Sequence, residues 1–509
     1  MRSELDELHA LADAVLLPSF EGPTLPDLWF ERLSSGLGGI TLFATNVGTP
    51  EQVRELTARI HEANPDAVIA VDEEGGDVTR LQWAHGSSYP GNLALGRVND
   101  VGLTRQLGEA IGADLARAGI DLNLAPSVDV NCEPDNPVIG VRSFGADPGQ
   151  VSAHAAAWIA GHQARGVAAC AKHFPGHGAT TTDSHHDLPR LEVEREVLEP
   201  RELAPFRAAV AAGVRAVMTA HIVVSAVDAA APVTLSRPAL IGLLRGELGF
   251  DGLIVSDALD MAAIAATYGM PQGAVRALAA GVDALCLGPG ASPAQVEGAR
   301  TAIVEALRDG VLPVVRLAEA SRRLRDLARW SARMRRPSTG PDEVAGLAAA
   351  RRAITVSGTP VGPMPGPPLV VELDGRPNMA AGERLTRGLG DLLSALLPGT
   401  LVRRVGIHQD GTDLGHHLLA DAAGRALVIV VRELHREPRV ARVVDELRTA
   451  RPDAIVVETG FPGPDSRHDA EHPDAEPGSL TWRGARVFTF GSAPVCLRAA
   501  AEVLAQRGR

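Results

Sequence analysis

The sequence predicts an α/β protein: a (β/α)8 barrel over residues 1–336, followed by a smaller α/β sandwich domain over 347–509. Three observations predict it. Eight short apolar runs alternate with amphipathic stretches, as buried parallel strands alternate with helices. Nearly every run is followed at once by polar residues, and a barrel is the architecture whose strand ends all converge on one mouth. A Pro/Gly/Ser-rich stretch, 337–346, then reads as a linker to a second alternation of strands and helices.

The first run is Ala14–Leu17, short and rich in branched residues like a strand buried on both faces. Gly39–Phe43 follows and leads to Thr45 and Asn46; the next helix, Pro50–Ala63, opens on the proline that a first helical turn tolerates. Ala67–Val71 leads to Asp72, Glu73 and Glu74, and helix Val101–Ala118 brings the chain to Leu122–Leu124. Helix Pro148–Ala164 precedes Val167–Ala171, which leads to Lys172 and His173. Ala216–Thr219 leads to His221, Leu253–Val255 to Ser256 and Asp257, and Ala284–Leu287 is the eighth run. Helices Pro293–Asp309 and Arg316–Arg335 close this part. A doubly wound sheet is the competing arrangement, but its outer strand ends diverge and would not need polar residues at so many of them.

Beyond the linker a helix is expected near Glu343–Ile354, then strands near Leu369–Leu373, Leu401–Ile407, Leu427–Val431, Ala454–Val457 and Val487–Phe490. Helices fall between them, ending with Ala493–Gln506, so the sheet should be mostly parallel. Stretches 361–368 and 461–479 read as surface loops. No residue of this segment stands out as catalytic, which leaves its role open, formation of a homodimer included.

Composition excludes several classes. With 45% hydrophobic residues in 509, the chain can bury a large core and is neither disordered nor fibrous. A net charge of −13 without a basic tract gives no footprint for nucleic acid or an anionic membrane. No apolar run reaches the roughly 18 residues of a spanning helix. Glu4, Asp6 and Glu7 stand where a signal peptide needs positive charge, so a cytoplasmic protein is expected. Cys132, Cys170, Cys286 and Cys496 lie far apart and read as reduced packing residues.

Among the 49 basic residues one is lysine, Lys172. A compact ammonium kept in a chain that otherwise uses arginine marks a position where a planar guanidinium does not fit. Lys172 opens the densest polar segment, KHFPGHGATTTDSHHD, with four histidines and two aspartates in sixteen residues. Pro175, Gly176 and Gly178 forbid a helix there. One reading is a metal site from His173, His177, His185 and Asp187, although the spacing matches no closed zinc pattern. The other is acid–base work, with Asp183 reaching the His185 imidazole in a turn and stabilising its charged form.

Asp257 ends an apolar strand, placing a carboxylate at the barrel mouth, though it could also cap the helix expected after it. A carboxylate opposite a proton donor is what glycosidic cleavage requires: one group protonates the leaving oxygen and the other attacks the anomeric carbon. Asp260 reads as a secondary group. Asp72 could accept two sugar hydroxyls, Gly75-Gly76 allows close approach of the backbone to a ligand, and Arg142 could clamp a hydroxyl or anion. Aromatic residues make up 3% of the chain, and Trp83 is the one singled out for stacking on a second sugar.

These motifs resemble glycoside hydrolase family 3, in particular its β-N-acetylglucosaminidase branch. The residues that carry the resemblance are DEEGGDVTRL (72–81), DLNLAPSVDVN (121–131), NPVIGVRSFG (136–145), AKHFPGHGATTTDSHHDLP (171–189), MTAHI (218–222) and VSDALDM (255–261), in family order. The resemblance implies that Asp257 is the nucleophile of a retaining mechanism and that His185, assisted by Asp183, is the general acid/base. It implies that Asp72, Arg142, Lys172 and His173 bind the hydroxyls of N-acetylglucosamine, with Arg80 and His221 nearby. It implies no cofactor and no metal, and a small cytosolic glycoside such as an imported cell-wall fragment or chitobiose as substrate. Asp77 stands where the family pattern has arginine, and Glu73 where it commonly has glutamine. A histidine acid/base does not repel phosphate as a carboxylate would, so phosphorolysis stays open beside hydrolysis. A non-catalytic amino-sugar-binding protein is the reading from another class.

Overall fold

The computed structural model describes residues 4–336, 342–364, 366–374, 388–406, 414–463 and 484–506. The expected linker lies outside the described residues up to 341, as do Ile407 at one expected strand end and most of the loop expected over 461–479. Packing divides the chain into two compact units. One takes Met1–Glu74, Asp100–Ile139 and Ser143–Pro341; the other takes Gly75–Asn99, Gly140–Arg142 and Asp342–Arg509.

In the first unit, among the described residues, eight parallel strands close a barrel. They are β1 (Leu16–Leu17), β2 (Gly39–Leu42), β3 (Val68–Val71), β4 (Leu122–Asn123), β5 (Ala168–Phe174), β6 (Ala216–Thr219), β7 (Leu253–Val255) and β8 (Leu285–Cys286). Six of them, β2 to β7, pair in chain order. The ring is completed by β8, which pairs with β1 through Leu16 and Leu285 and bridges to β7 at Ala284, and by the Thr41 N–H donating to Pro18 O between β2 and β1. Alternate residues point inward: Val68, Ala70, Leu122, Ala168, Cys170, Ala216 and Leu253 pack together in the core, joined by Leu324 and Leu327 of the helix Val314–Met334. Small residues such as Ala70, Ala168 and Ala216 suit the crowded interior of an eight-stranded barrel.

Helix entrances follow the residues that cap them. Thr49, Asp100 and Asp147 accept hydrogen bonds from the backbone N–H three residues on, opening the helices Pro50–Ala63, Val101–Ala118 and Pro148–Gln163. Each helix returns the chain to the start of the next strand, so all the strand ends point the same way. The polar residues that follow β3, β5, β6 and β7 therefore share one end of the barrel.

In the second unit, among the described residues, six strands form one sheet: β9 (Thr355–Gly358), β10 (Leu369–Asp374), β11 (Leu401–Gly406), β12 (Leu427–Val431), β13 (Ile455–Glu458) and β14 (Ala485–Phe488). Their order is β9-β14-β13-β12-β10-β11, parallel throughout except for β9, which runs antiparallel on the edge. Leu369, Val371 and Leu373 pack on one face against Val440, Val444 and Leu447, while Val370 and Val428 pack on the other against Leu389, Leu393 and Ala500. Helices thus cover both faces of the sheet.

Candidate active site

β5 runs three residues beyond the expected end at Ala171, so Lys172 and His173 stand on the strand itself. The reason lies next door: the segment after β4 pairs with it, Val128 N–H donating to Lys172 O at 2.7 Å and Lys172 N–H to Pro126 O at 3.2 Å. The Lys172 side chain is 3% exposed, and its Nζ lies 2.6 Å from Asp72 Oδ1 and 2.8 Å from Glu74 Oε1. A buried ammonium needs such partners. Asn123 of β4 steadies the same strand end, its side chain donating to Glu73 O and accepting from Glu73 N–H.

Asp129 organises the next layer. It is fully buried, and its carboxylate accepts from His173 Nδ1 (2.7 Å), Ser127 Oγ (2.9 Å) and the His177 N–H (2.7 Å). Burial would raise its carboxyl; the neighbouring His173 and the His177 N–H outweigh this and hold it below the usual carboxylate range. His173 is thereby oriented through Nδ1, and the turn after β5 is fastened by its backbone.

His177 lies inside, not at the mouth. Its Nδ1 meets Thr180 Oγ1 at 2.6 Å and its Nε2 meets Ser184 Oγ at 3.1 Å, while burial pushes the imidazole down to about 4. It pins the loop that presents Asp183 and His185. There His185 Nδ1 and its own backbone N–H both donate to Asp183 Oδ1, at 2.7 and 2.9 Å. Burial works to raise the Asp183 carboxyl, but these two donors bring it below its ordinary value. The four residues read as a metal set have separate partners: Asp129, Thr180 with Ser184, Asp183, and, for Asp187, the Leu188 N–H. Among the described residues no group of three or more His, Cys, Asp or Glu is placed to hold an ion.

Asp257 leaves β7 with its Oδ1 accepting the Ala258 N–H at 2.8 Å. Burial raises its carboxyl, yet the charges of His221, His173 and His185 reach it and together hold it below the carboxylate norm. It caps no helix: the helix that follows is Ala262–Ala265, whose cap position is Met261. His221 holds the backbone beside it, with Nε2 donating to Ala258 O at 3.0 Å and Nδ1 paired to Thr234 Oγ1 at 2.8 Å; burial lowers its pKa. Both ring nitrogens thus serve the protein, and through them His221 positions the backbone that follows Asp257. Asp260 accepts the Gly290 N–H at 3.0 Å, and burial, reinforced by Asp257, raises its carboxyl.

Asp72, Lys172, His173, Asp183, His185, His221 and Asp257 all belong to the barrel unit, whereas Arg80, Trp83 and Arg142 belong to the second. Within the second unit Asp77 pairs with Arg432, Oδ2 to Nη1 at 2.6 Å, and its Oδ1 accepts the Ser492 N–H at 2.8 Å. Sequence reasoning assigned no role to Glu74 or Asp129. The signal for Asp129 was present in APSVDVN, where a serine two residues before an aspartate marks a local hydroxyl–carboxylate bond.

Residues 32–327 match the model of the glycosyl hydrolase family 3 N-terminal domain. The chain belongs to glycosyl hydrolase family 3. Among family relatives, the β-hexosaminidase of Alkalilimnicola ehrlichii is 39% identical over 290 residues, 54% of this chain and 83% of that protein. β-Hexosaminidase A of Pseudoalteromonas piscicida is 38% identical over 283 residues, about half of each chain (51% and 47%). A family 3 β-N-acetylglucosaminidase from Paenibacillus sp. str. FPU-7 superposes with a TM-score of 0.87 at 32% identity, covering 99% of this chain and 97% of that one. The family match extends from the region just before β2 into the helix Val314–Met334, and so takes in every barrel residue of the site.

Proposed function

We propose that this family 3 chain is a retaining exo-β-N-acetylglucosaminidase that hydrolyses terminal β-linked N-acetylglucosamine. The observation that carries the proposal is an ionised, half-buried Asp257 within electrostatic reach of a His185 whose Nδ1 is committed to Asp183. The names of the similar β-hexosaminidases and of the similar β-N-acetylglucosaminidase support the choice of sugar.

With Asp183 ionised, Nδ1 of His185 carries a hydrogen, and the charged imidazole offers a second proton at Nε2. That proton passes to the glycosidic oxygen as Asp257 attacks the anomeric carbon, giving a covalent glycosyl-enzyme. The neutral imidazole then has a lone pair at Nε2 and takes a proton from water as the water releases the sugar. Lys172, Asp72 and His173 hold ring hydroxyls, their geometry fixed by Glu74 and Asp129.

Turnover of an aryl β-N-acetylglucosaminide tests the proposal. Asp257→Ala is expected to lose about 10^4-fold in kcat, the scale on which removal of a catalytic carboxylate registers. Turnover that survives this change, or sugar binding with no turnover in the unaltered chain, overturns the hydrolase. Sugar 1-phosphate accumulating with added phosphate would assign phosphorolysis instead.

A further inference from the structure

Glu202 lies in the helical segment between β5 and β6, where the backbone widens into a π turn over Glu199–Leu203. Such turns are rare and are kept disproportionately at functional sites. Glu202 is 1% exposed. Its Oε1 accepts from Arg201 Nε at 2.6 Å, while Oε2 has no hydrogen-bond partner among the described residues. What Oε2 meets is Gly176: a Cβ built there would stand 2.4 Å away. Gly176, at φ +133°, is the residue before His177, so the Glu202 carboxyl supports the turn from which the loop to Asp183 and His185 departs.

We propose that Glu202 is a positioning residue for the acid/base loop, working as an undissociated acid beneath Gly176. A buried anionic oxygen without a donor is costly, and a neutral carboxyl is much less so. The groups around it are Arg201 on its own segment, and Asp129 and the Cys132 thiol, with Glu133 beside it, from the stretch after β4; His173 and His177 stand beyond Asp129. Burial pushes the Glu202 carboxyl up to about 7, with Arg201 opposing and Asp129 reinforcing the shift. Ionisation sets a second negative charge near Asp129, which holds both His173 and the His177 backbone, and gives Oε2 reason to seek water. The turn then loosens, and His185 with it.

The inference rests on the acid/base role of His185, and the test separates the two. kcat/KM for an aryl β-N-acetylglucosaminide is followed from about pH 5 to about pH 9 in the full chain and in Glu202→Gln, whose amide is neutral throughout. The ratio of variant to wild type is expected to rise at least about threefold toward the alkaline end. Arg201→Gln, which removes the cation that favours ionisation, is expected to carry the alkaline limb to higher pH. A constant ratio, or a limb that stays in place or moves down in Arg201→Gln, overturns the proposal. Thermal midpoints need no substrate. A raised carboxyl takes stability from the fold as pH climbs from the ordinary glutamate value to about 7, and a constant amount above that. The midpoint of Glu202→Gln should therefore gain on wild type across that window and then run parallel to it; parallel curves throughout overturn the proposal. Absence of turnover in every variant marks failure of the hydrolase reading, and the midpoints then judge the ionisation of Glu202 alone.

Discussion

Lys172 and Asp72 lie a hundred residues apart in sequence and meet at 2.6 Å, with Glu74 completing the clasp on the same ammonium at 2.8 Å. Two strand ends, β3 and β5, are joined by a cation 3% exposed. An ammonium can turn its three donors toward two carboxylates and a ligand, whereas a guanidinium presents a flat fork and needs more room. Lys172→Arg keeps the charge and should misplace Asp72 by a fraction of an ångström to an ångström. Misplacement on that scale costs about 10^2-fold, and it should register in kcat/KM. Michaelis parameters for the arginine variant that match wild type would show that charge alone matters at this position.

The Asp129 node makes the site sensitive to acid in a defined direction. Its carboxyl is held below the ordinary value in the folded chain, so the stability it confers is complete above the unfolded aspartate value of about 3.9 and is lost as pH falls through the lower folded one. Asp129→Asn removes the charge at every pH and leaves His173 Nδ1, Ser127 Oγ and the backbone N–H groups of His173 and His177 facing one amide oxygen. The variant should be less stable by about 3 kcal/mol near neutrality, and the gap should close below about pH 4. His177 adds a second loss: its folded value of about 4 lies below the unfolded one, so stability falls as pH drops from about 6.5 toward 4, and because the Asp129 charge works to raise that value, the loss reaches further down in the asparagine variant. Urea unfolding across the acid range checks the difference between the two proteins; a gap that persists undiminished at low pH would show that the carboxylate is not what holds the turn.

Local patterns in the sequence were readable where one short stretch carries the whole argument. The strand runs are continuous, apolar and buried on both sides, and Asp183 bonds a histidine two residues away. Partnerships over long separations were not readable. Asp129 is 44 residues from His173, and nothing in either segment alone names the other. Asp77, a departure from the family pattern, finds its partner in Arg432, 355 residues on, so its charge is answered within the second unit. The edge strand β9 was missed because TVSG is short, half-exposed and ends in glycine, none of which signals a strand. The resemblance implies a place for His221 near the sugar; its bonds to Thr234 and Ala258 are partnerships that only the fold brings to it. Asp257 was open to a capping role because the helix seemed to start directly after it, and four intervening residues settle the matter.

The bond between Asp183 and His185 makes a prediction about substrates as well as about rates. An ionised Asp183 at 2.7 Å requires hydrogen on Nδ1, so the proton given to the substrate is the second one, on Nε2, and its retention before reaction depends on the carboxylate's charge. Asp183→Asn leaves an oxygen able to accept from Nδ1 but no charge to stabilise the imidazolium. Protonation of the leaving group should suffer most, by about 10^2- to 10^4-fold, where the departing alcohol is a poor leaving group. An aryl glycoside whose phenolate departs readily needs little proton transfer and should lose far less. Comparing the asparagine variant with wild type across aryl and alkyl β-N-acetylglucosaminides therefore yields a steeper dependence on leaving-group acidity in the variant. Equal losses on every substrate would mean that Asp183 only shapes the loop, and would place the proton donor elsewhere.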